Sequence, residues 1–501
     1  MPRSKLLNAF DDDMIAELEN GQPMPTVGEI ELPYEITIVT PMFGGGTVAG
    51  QPDNAHPVSE KSIRGHLRFW WRATCGARYK TVADLAWNEA ELFGDTKFPS
   101  RVDVSLSDVR FPIPRACGAY KQRVGDSIKY DFNADQALAE CWDDVAYVLF
   151  PFVGKSPGLG IDEPSRFFPP GGKFKLRLRV RRDKRITTVL NARRLSEAAR
   201  RVKAGEPILE PASADVLLDL QCAVWAWVNF GGIGARTRRG CGTLMSPTLS
   251  PPESVRQSAK GILDYFAGVL TTYGVTYPVP VRAWPTLGQF LFDVRRQWTP
   301  VTAWQSAVRP LREFRQSDGI ARKPGTQGRP GRSRWPEADT IRRLTGVHLN
   351  SPEKTHDPAT GVTIDAFPRA EFGLPIIFHF KDSDRGGLML KDKDPADTTL
   401  EPLMSSRMAS PFIIKPLVFS DGQTAVPCIV RMQAPEIQHV QLKSGKSPIT
   451  SSSVVPVREP VLAKDPDSPI GGVPNPRSAA GSAAEAFWKF AQQKFAPGKH
   501  P

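Results

Sequence analysis

The stretch Phe230 to Gly242, FGGIGARTRRGCG, decides how the rest of the chain is read, because five glycines surround Arg236, Arg238 and Arg239. Glycine lets a backbone adopt positive φ and lets another group come close. Backbone N–H groups in such a turn form an anion-binding concavity, and guanidinium forks reach phosphate oxygens in pairs. The loop therefore reads as a nucleic-acid cradle with Gly232, Gly234, Arg236, Thr237, Arg238 and Arg239 as contact residues; the alternative is a glycine-terminated helix followed by a solvated basic hairpin. A dinucleotide fold requires strand, glycines, then helix, and here a helix precedes the glycines and a strand-like run follows.

Upstream, Ala214 to Phe230 is apolar nearly all round, which predicts a buried helix with Asp215 as its N-cap. Gly171 to Arg185, GGKFKLRLRVRRDKR, alternates Phe174, Leu176, Leu178 and Val180 with Lys173, Lys175, Arg177, Arg179 and Arg181. That period predicts a strand with one buried face and one cationic face. The cost of stacking like charges points to a polyanionic partner, while acidic loops of the same chain are the structural alternative.

Two further stretches lie nearer the N-terminus. Glu31 to Thr40 predicts a strand in which Tyr34, Ile36 and Ile38 share a face, followed by PMFGGGTVAG, whose Phe43, Gly44 and Gly45 suggest close backbone approach. Pro57 to Gly76, PVSEKSIRGHLRFWWRATCG, predicts a helix capped by Ser59 or Ser62, with Ile63, Leu67, Trp70 and Thr74 on its apolar stripe. Arg64, Arg68 and Arg72 recur at every fourth residue without an acidic residue inside Lys61 to Thr74, so an anion is expected across them. Lys61, Ser62 and Trp71 join them as candidate contacts, and one of Trp70, Trp71 and Phe43 is expected to stack on an unpaired base.

The 501 residues predict two or three domains, and 65 Lys and Arg against 53 Asp and Glu give a formal charge of +12. An excess of that sign favours nucleic acid or an anionic membrane surface. No apolar run is long enough to span a bilayer and Met1 to Asn20 is acidic, so a cytoplasmic, non-membrane protein is expected. Six dispersed cysteines and seven dispersed histidines lack metal-ligand spacing, and neither a metal nor a cofactor is expected.

Prolines at 247, 251 and 252 suggest a boundary near residue 250, after which a helix around Ser254 to Leu270 is expected. GIARKPGTQGRPGRSRWPEADTIRR reads as a mobile basic loop leading into a helix at Trp335 to Asp339. Arg322, Lys323, Arg329, Arg332 and Arg334 can clamp a phosphate chain from it, and a basic insertion without a defined role is the alternative. FGLPIIFHF and ASPFIIKPLVF read as buried strands, with His379 a core or edge histidine lacking a nearby partner. Beyond residue 464 the composition turns to Pro, Gly and Ser and then to an Ala-rich helix that docks on another surface or on its own domain.

Three pieces together, the strand ending in TPMFGGG, the helix SEKSIRGHLRFWWRA and the loop FGGIGARTRRGCG, resemble the RAMP superfamily of CRISPR effectors, and within it the Cmr-type subunits of type III-B complexes. WPEADTIR, FGLPI and ASPFIIKPL extend the likeness over roughly residues 30 to 430. The resemblance implies an α+β chain of tandem ferredoxin-like, RRM-related domains with a glycine-rich loop over the first. The expected division is 1–28 leader, 29–250 first domain, 251–465 second domain with a basic insertion at 315–340, and 466–501 linker and C-terminal helix. It further implies a non-catalytic RNA-binding subunit in a multi-subunit complex, contacting guide RNA, target RNA and other Cmr-type subunits. The competing expectation is an endoribonuclease, for which Asp53 and His56 are the candidate pair, since cleavage through the 2′-hydroxyl needs a proton acceptor and donor.

Overall fold

The computed structural model describes residues 30–496 except 49, 97–98, 124–128, 155–163, 182–183, 210–215, 326–330, 348–349, 352–353, 356–364, 381–394, 445–446, 449–453, 466 and 473–480. The expected leader 1–28, Asp215 and Arg329 lie outside the described residues.

Strand β1 (Ile30–Ile38) follows the alternation read from the sequence, burying Tyr34, Ile36 and Ile38. Helix α1 (Glu60–Ala73) comes next, capped by Ser59, whose hydroxyl accepts from the Ser62 amide at 3.2 Å. Strands β2 (Val102–Arg110) and β3 (Lys173–Val180), helix α2 (Val216–Phe230) and the short strand β4 (Leu244–Met245) complete a β-α-β-β-α-β succession. The four strands form one antiparallel sheet in the order β2-β3-β1-β4. In β3 every second residue is buried from Phe174 to Val180, as the alternation requires. Ile36 faces Phe174 and Tyr34 faces Leu176 in register, so both strands turn apolar residues toward α1 and α2.

Helix α2 is apolar all round because it is covered twice. The four-stranded sheet and α1 lie on one side; on the other, Phe230 meets Phe266 of helix α3 (Ala259–Thr272) and Phe290 of strand β5 (Thr286–Phe292) at ring-centroid distances of 5.0 and 5.1 Å. One hydrophobic cluster thus runs across the boundary expected near residue 250, joining Ile36 and Phe230 to Phe290 and Val430.

The second sheet has the order β5-β7-β6, with β6 (Phe412–Val418) and β7 (Ala425–Gln433) antiparallel neighbours. All seven residues of β6 are buried. Phe412 and Ile414 face helices α4 (Pro300–Gln316) and α5 (Ala483–Phe495), whereas Ile413 and Leu417 belong to the cluster around α2. A strand covered on both faces needs a nearly continuous apolar run, which PFIIKPLV supplies around one buried cation, Lys415. Helix α5 docks on its own chain: Phe487 meets Phe412 at 4.9 Å and Phe490 meets Phe314 at 5.5 Å. Burying aromatic side chains of this size contributes about 2–3 kcal/mol each.

A further sheet carries strands Ile376–Phe378, Thr398–Pro402, His439–Ser444, Ser447–Pro448 and Val454–Pro456. Two expectations change here. FGLPIIFHF yields a strand of three residues whose Ile377 is exposed, because among the described residues it has a neighbouring strand on one side only. His379 is exposed and has a partner, the Asp397 carboxylate at 2.7 Å.

Candidate nucleic-acid interface

The glycine loop starts where α2 ends. Its backbone is held by Ile233 N–H on the Gly242 carbonyl at 2.9 Å, Ala235 N–H on the Phe43 carbonyl at 2.7 Å, and Gly242 N–H on the Pro41 carbonyl at 2.9 Å. Gly234 has φ +88°, and a Cβ there would collide with the Phe43 carbonyl oxygen. The glycines therefore serve a close approach, but to the chain's own segment 41–45. Thr40 fixes the far end: its hydroxyl donates to the Gly240 carbonyl at 2.6 Å and accepts from Thr243 N–H at 2.9 Å.

The three arginines of the loop each lie against aromatic rings or main-chain oxygens. Arg236, in a left-handed conformation at φ 57°, stacks over Phe150 at 5.1 Å. Arg238 lies over Phe69 at 5.2 Å and donates to the Ser410 carbonyl at 2.5 Å. Arg239 donates to the carbonyls of Phe412 at 2.9 Å and Phe372 at 3.3 Å. Among the described residues no carboxylate pairs with any of them. Burial lowers the Arg236 guanidinium below its usual range, and it lowers Arg238 to about 10 and Arg239 to about 9, which leaves those two charged at pH 7.

Arg315, in the last turn of α4, is a fourth member that the sequence reading missed. Its guanidinium lies over Phe372 at 5.2 Å, its Nε is buried without a hydrogen-bond partner, and its charge depresses Arg239 further. The signal was the spacing Arg309, Arg312, Arg315; the first two pair with Asp144 at 2.9 and 3.0 Å and the third does not.

Helix α1 corrects the expectation of an unneutralised cationic face. Glu89, on the helix Val82–Phe93, accepts from Arg68 Nε at 2.6 Å and from Arg72 at 2.5 Å. Arg64 is occupied by the main-chain oxygens of Phe93 at 2.9 Å and Val102 at 2.6 Å. Trp71 is 1% exposed with its indole N–H on Asp219, so it has no ring face for a base. Lys61 and Ser62 stay exposed at the start of the helix.

The basic strand is corrected in the same way. Lys175 pairs with Asp108 at 2.8 Å, Arg177 lies 3.6 Å from Glu31, and Arg181 pairs with Asp103 at 2.6 Å. Arg179 stands opposite Glu31 and Asp103 in register. Neighbouring strands thus supply the counter-charges that the strand's own sequence lacks.

The remaining candidates separate. Phe43 is fully buried, stacked on Phe152 at 4.3 Å and on Phe167 at 5.2 Å, which rules out stacking on a base. Gly44 packs on Ala235 and Gly45 is exposed beside it. Arg332 pairs with Asp339 at 2.9 Å, Arg334 donates to the Gly319 carbonyl at 2.9 Å, and the Arg334 amide donates to the Ala321 carbonyl at 2.8 Å. Asp53 accepts from the amides of Ala55 and His56 at 2.9 Å each, and the exposed His56 ring is 3.9 Å from the carboxylate.

The structure seats Gly44 against Ala235 of the loop and Arg238 over Phe69 of α1, and it sets Gly46 of the same glycine run against the backbone of Asp53. Beneath the loop is a pocket of about 130 Å³. Arg238 also lines a groove of about 720 Å³ that passes Ser410, Met408, Arg431 and Glu436. No described helix is long and apolar enough to cross a membrane.

Residues 35–244 match the RAMP superfamily. The chain is similar to the CRISPR system Cmr subunit Cmr1-2 of Pyrococcus furiosus, with 26% identity over 219 residues that cover 42% of this chain and 92% of that protein. It is also similar to Cmr1-1 of the same organism, with 24% identity over 190 residues covering 37% of this chain and 40% of that protein. Among solved structures, the apo form of Cmr1 from Pyrococcus furiosus aligns over 81% of this chain and 89% of that one, at 17% identity and a TM-score of 0.35.

Proposed function

Starting from a chain whose residues 35–244 carry RAMP-superfamily sequence, we propose that it is a non-catalytic RNA-binding subunit of a type III-B, Cmr-type CRISPR ribonucleoprotein. Its partners in this reading are guide RNA, target RNA and neighbouring Cmr-type subunits, in the cytoplasm. Two Cmr subunits among its relatives support the assignment to that class. The β-α-β-β-α-β unit with strand order β2-β3-β1-β4 fits a ferredoxin-like domain, and β5-α4-β6-β7-α5 fits a second with one strand fewer among the described residues.

The observation that carries the reading is the cluster of Arg236, Arg238, Arg239 and Arg315, which has no carboxylate partner among the described residues. Four cations held close repel one another, and a phosphate backbone relieves that repulsion. Arg68, Arg72 and Arg177, by contrast, have acids of their own. Arg236 and Arg238 are the contacts; Arg239, tied to two carbonyls, adds field rather than reach. Phosphate contacts position an RNA without reading it, so base pairing between guide and target supplies specificity.

The geometry does not favour the nuclease reading, because the Asp53 carboxylate is engaged in its own turn. Photo-crosslinking of RNA carrying a thiolated uridine, followed by peptide mapping, tests the proposal. Adducts on 230–242 with intact RNA are expected. Adducts confined to 53–56, or cut RNA, overturn it.

A further inference from the structure

The pocket beneath the glycine loop is built from α1, the end of α2 with the loop that follows it, and β6. Phe69 and Trp70 of α1 form aromatic walls, Gly231 forms the floor, and Thr237 and Arg238 stand at the rim beside Ile413 of β6. Trp70 is 2% exposed, yet no described residue accepts from its indole N–H. Gly231 keeps that N–H accessible: a Cβ there would sit 2.7 Å from Trp70 Nε1. His66 lies nearly parallel to Trp227, with ring centroids 5.9 Å apart, and neither its ring nitrogens nor the Thr237 hydroxyl is used in a hydrogen bond among the described residues. Burial depresses the imidazole, so it is neutral at pH 7.

Size and polarity define the occupant. A cavity of about 150 Å³ holds a benzene ring, and this one, at about 130 Å³ and open at the rim, is scaled for one six-membered ring. Its interior polar groups are a neutral donor, a neutral imidazole and a hydroxyl, which match a flat, uncharged ring with hydrogen-bonding edges. Its one charge, Arg238 over Phe69 at 5.2 Å, is at the mouth. A ring of that kind with an anion one bond system away is a nucleotide. The Trp70 indole N–H, on a residue that lines the pocket and without an acceptor among the described residues, is a donor that a ligand there can engage.

We propose that this pocket takes one unpaired pyrimidine base of a single-stranded RNA, its edge on the Trp70 indole N–H, His66 and Thr237, and its phosphate on Arg238. The inference rests on the RNA-binding reading above and adds to it a base-recognition site that phosphate contacts alone do not require.

The test compares the full chain's affinity for a short single-stranded oligouridylate with its affinity for the matching abasic ribose-phosphate oligomer, by fluorescence anisotropy. The abasic oligomer is expected to bind about tenfold more weakly, the scale of one lost stacked base. Thr237→Val and His66→Leu should each weaken the oligouridylate and leave the abasic oligomer unchanged, with thermal midpoints recorded to show that both variants fold. Should a variant fail to fold, the wild-type comparison decides by itself. Equal wild-type affinities for the two oligomers overturn the base pocket and leave the phosphate reading standing. Absence of binding to both overturns the two together.

Discussion

The indole N–H of Trp304 donates to the carbonyl oxygen of Arg239 at 2.6 Å, so helix α4 holds the turn that carries the loop arginines. The next residue, Gly240, has φ +83°, and a Cβ there would come within 2.6 Å of Trp304 Nε1. Gly240→Ala should cost about 1–2 kcal/mol for the left-handed backbone and a further 1–3 kcal/mol or so for overpacking. A urea-denaturation midpoint clearly below wild type is the expected result.

Glu89 is 8% exposed on its side chain and neutralises Arg68 and Arg72, which are 38% and 34% exposed. Glu89→Gln should destabilise by about 2 kcal/mol, the scale of charge-assisted bonds discounted for the solvent around both arginines. It also frees two cations, so RNA affinity in the variant should depend more steeply on salt than in wild type. Parallel urea melts and salt titrations check both halves.

Lys415 is a buried base with no acidic partner among the described residues. Its Nζ donates to the Gly231 carbonyl at 2.8 Å, beneath the glycine loop, and burial lowers it to about 7. Its unfolded value is near 10.4. Between about pH 7 and 10.4 the unfolded chain binds the extra proton, so this group's contribution is complete above that window and is lost as pH falls toward 7. Stability from Lys415 therefore rises with pH, and Lys415→Met should flatten the rise between pH 7 and 9 in urea melts.

All six cysteines are buried and unpaired in disulfides, and burial pushes Cys241 and Cys428 up to about 12. A thiol-reactive chromophore should find none of them in the native chain and six after denaturation; rapid native labelling would contradict the packing around β6 and the loop.

What the sequence made legible is what a single segment determines. Alternation from Lys173 to Val180, the Ser59 cap and the largely apolar run of β6 all appear in place. Counter-charges were not legible, because Glu89 lies 17 and 21 residues from the arginines that it pairs with, and Asp108 and Glu31 reach β3 from other strands. Phe43 and Trp71 read as accessible from local sequence, but Phe152, Phe167 and Asp219 bury them from elsewhere in the chain. Arg315 was hidden for the opposite reason: its distinction is the lack of an acid that its neighbours Arg309 and Arg312 have in Asp144.

The central claim is that the unpaired arginines of the glycine loop, rather than the paired cations of β3, hold phosphate. Its most direct test is titration of labelled single-stranded RNA at several salt concentrations with wild type, an Arg236→Ala/Arg238→Ala variant and a Lys175→Ala/Arg177→Ala variant. The loop variant should lose affinity for every sequence, with a log–log salt slope shallower by about 1.4, from roughly 0.7 per single-strand phosphate contact. The strand variant should stay close to wild type. Equal losses in the two variants, or a loss confined to one RNA sequence, would contradict the account.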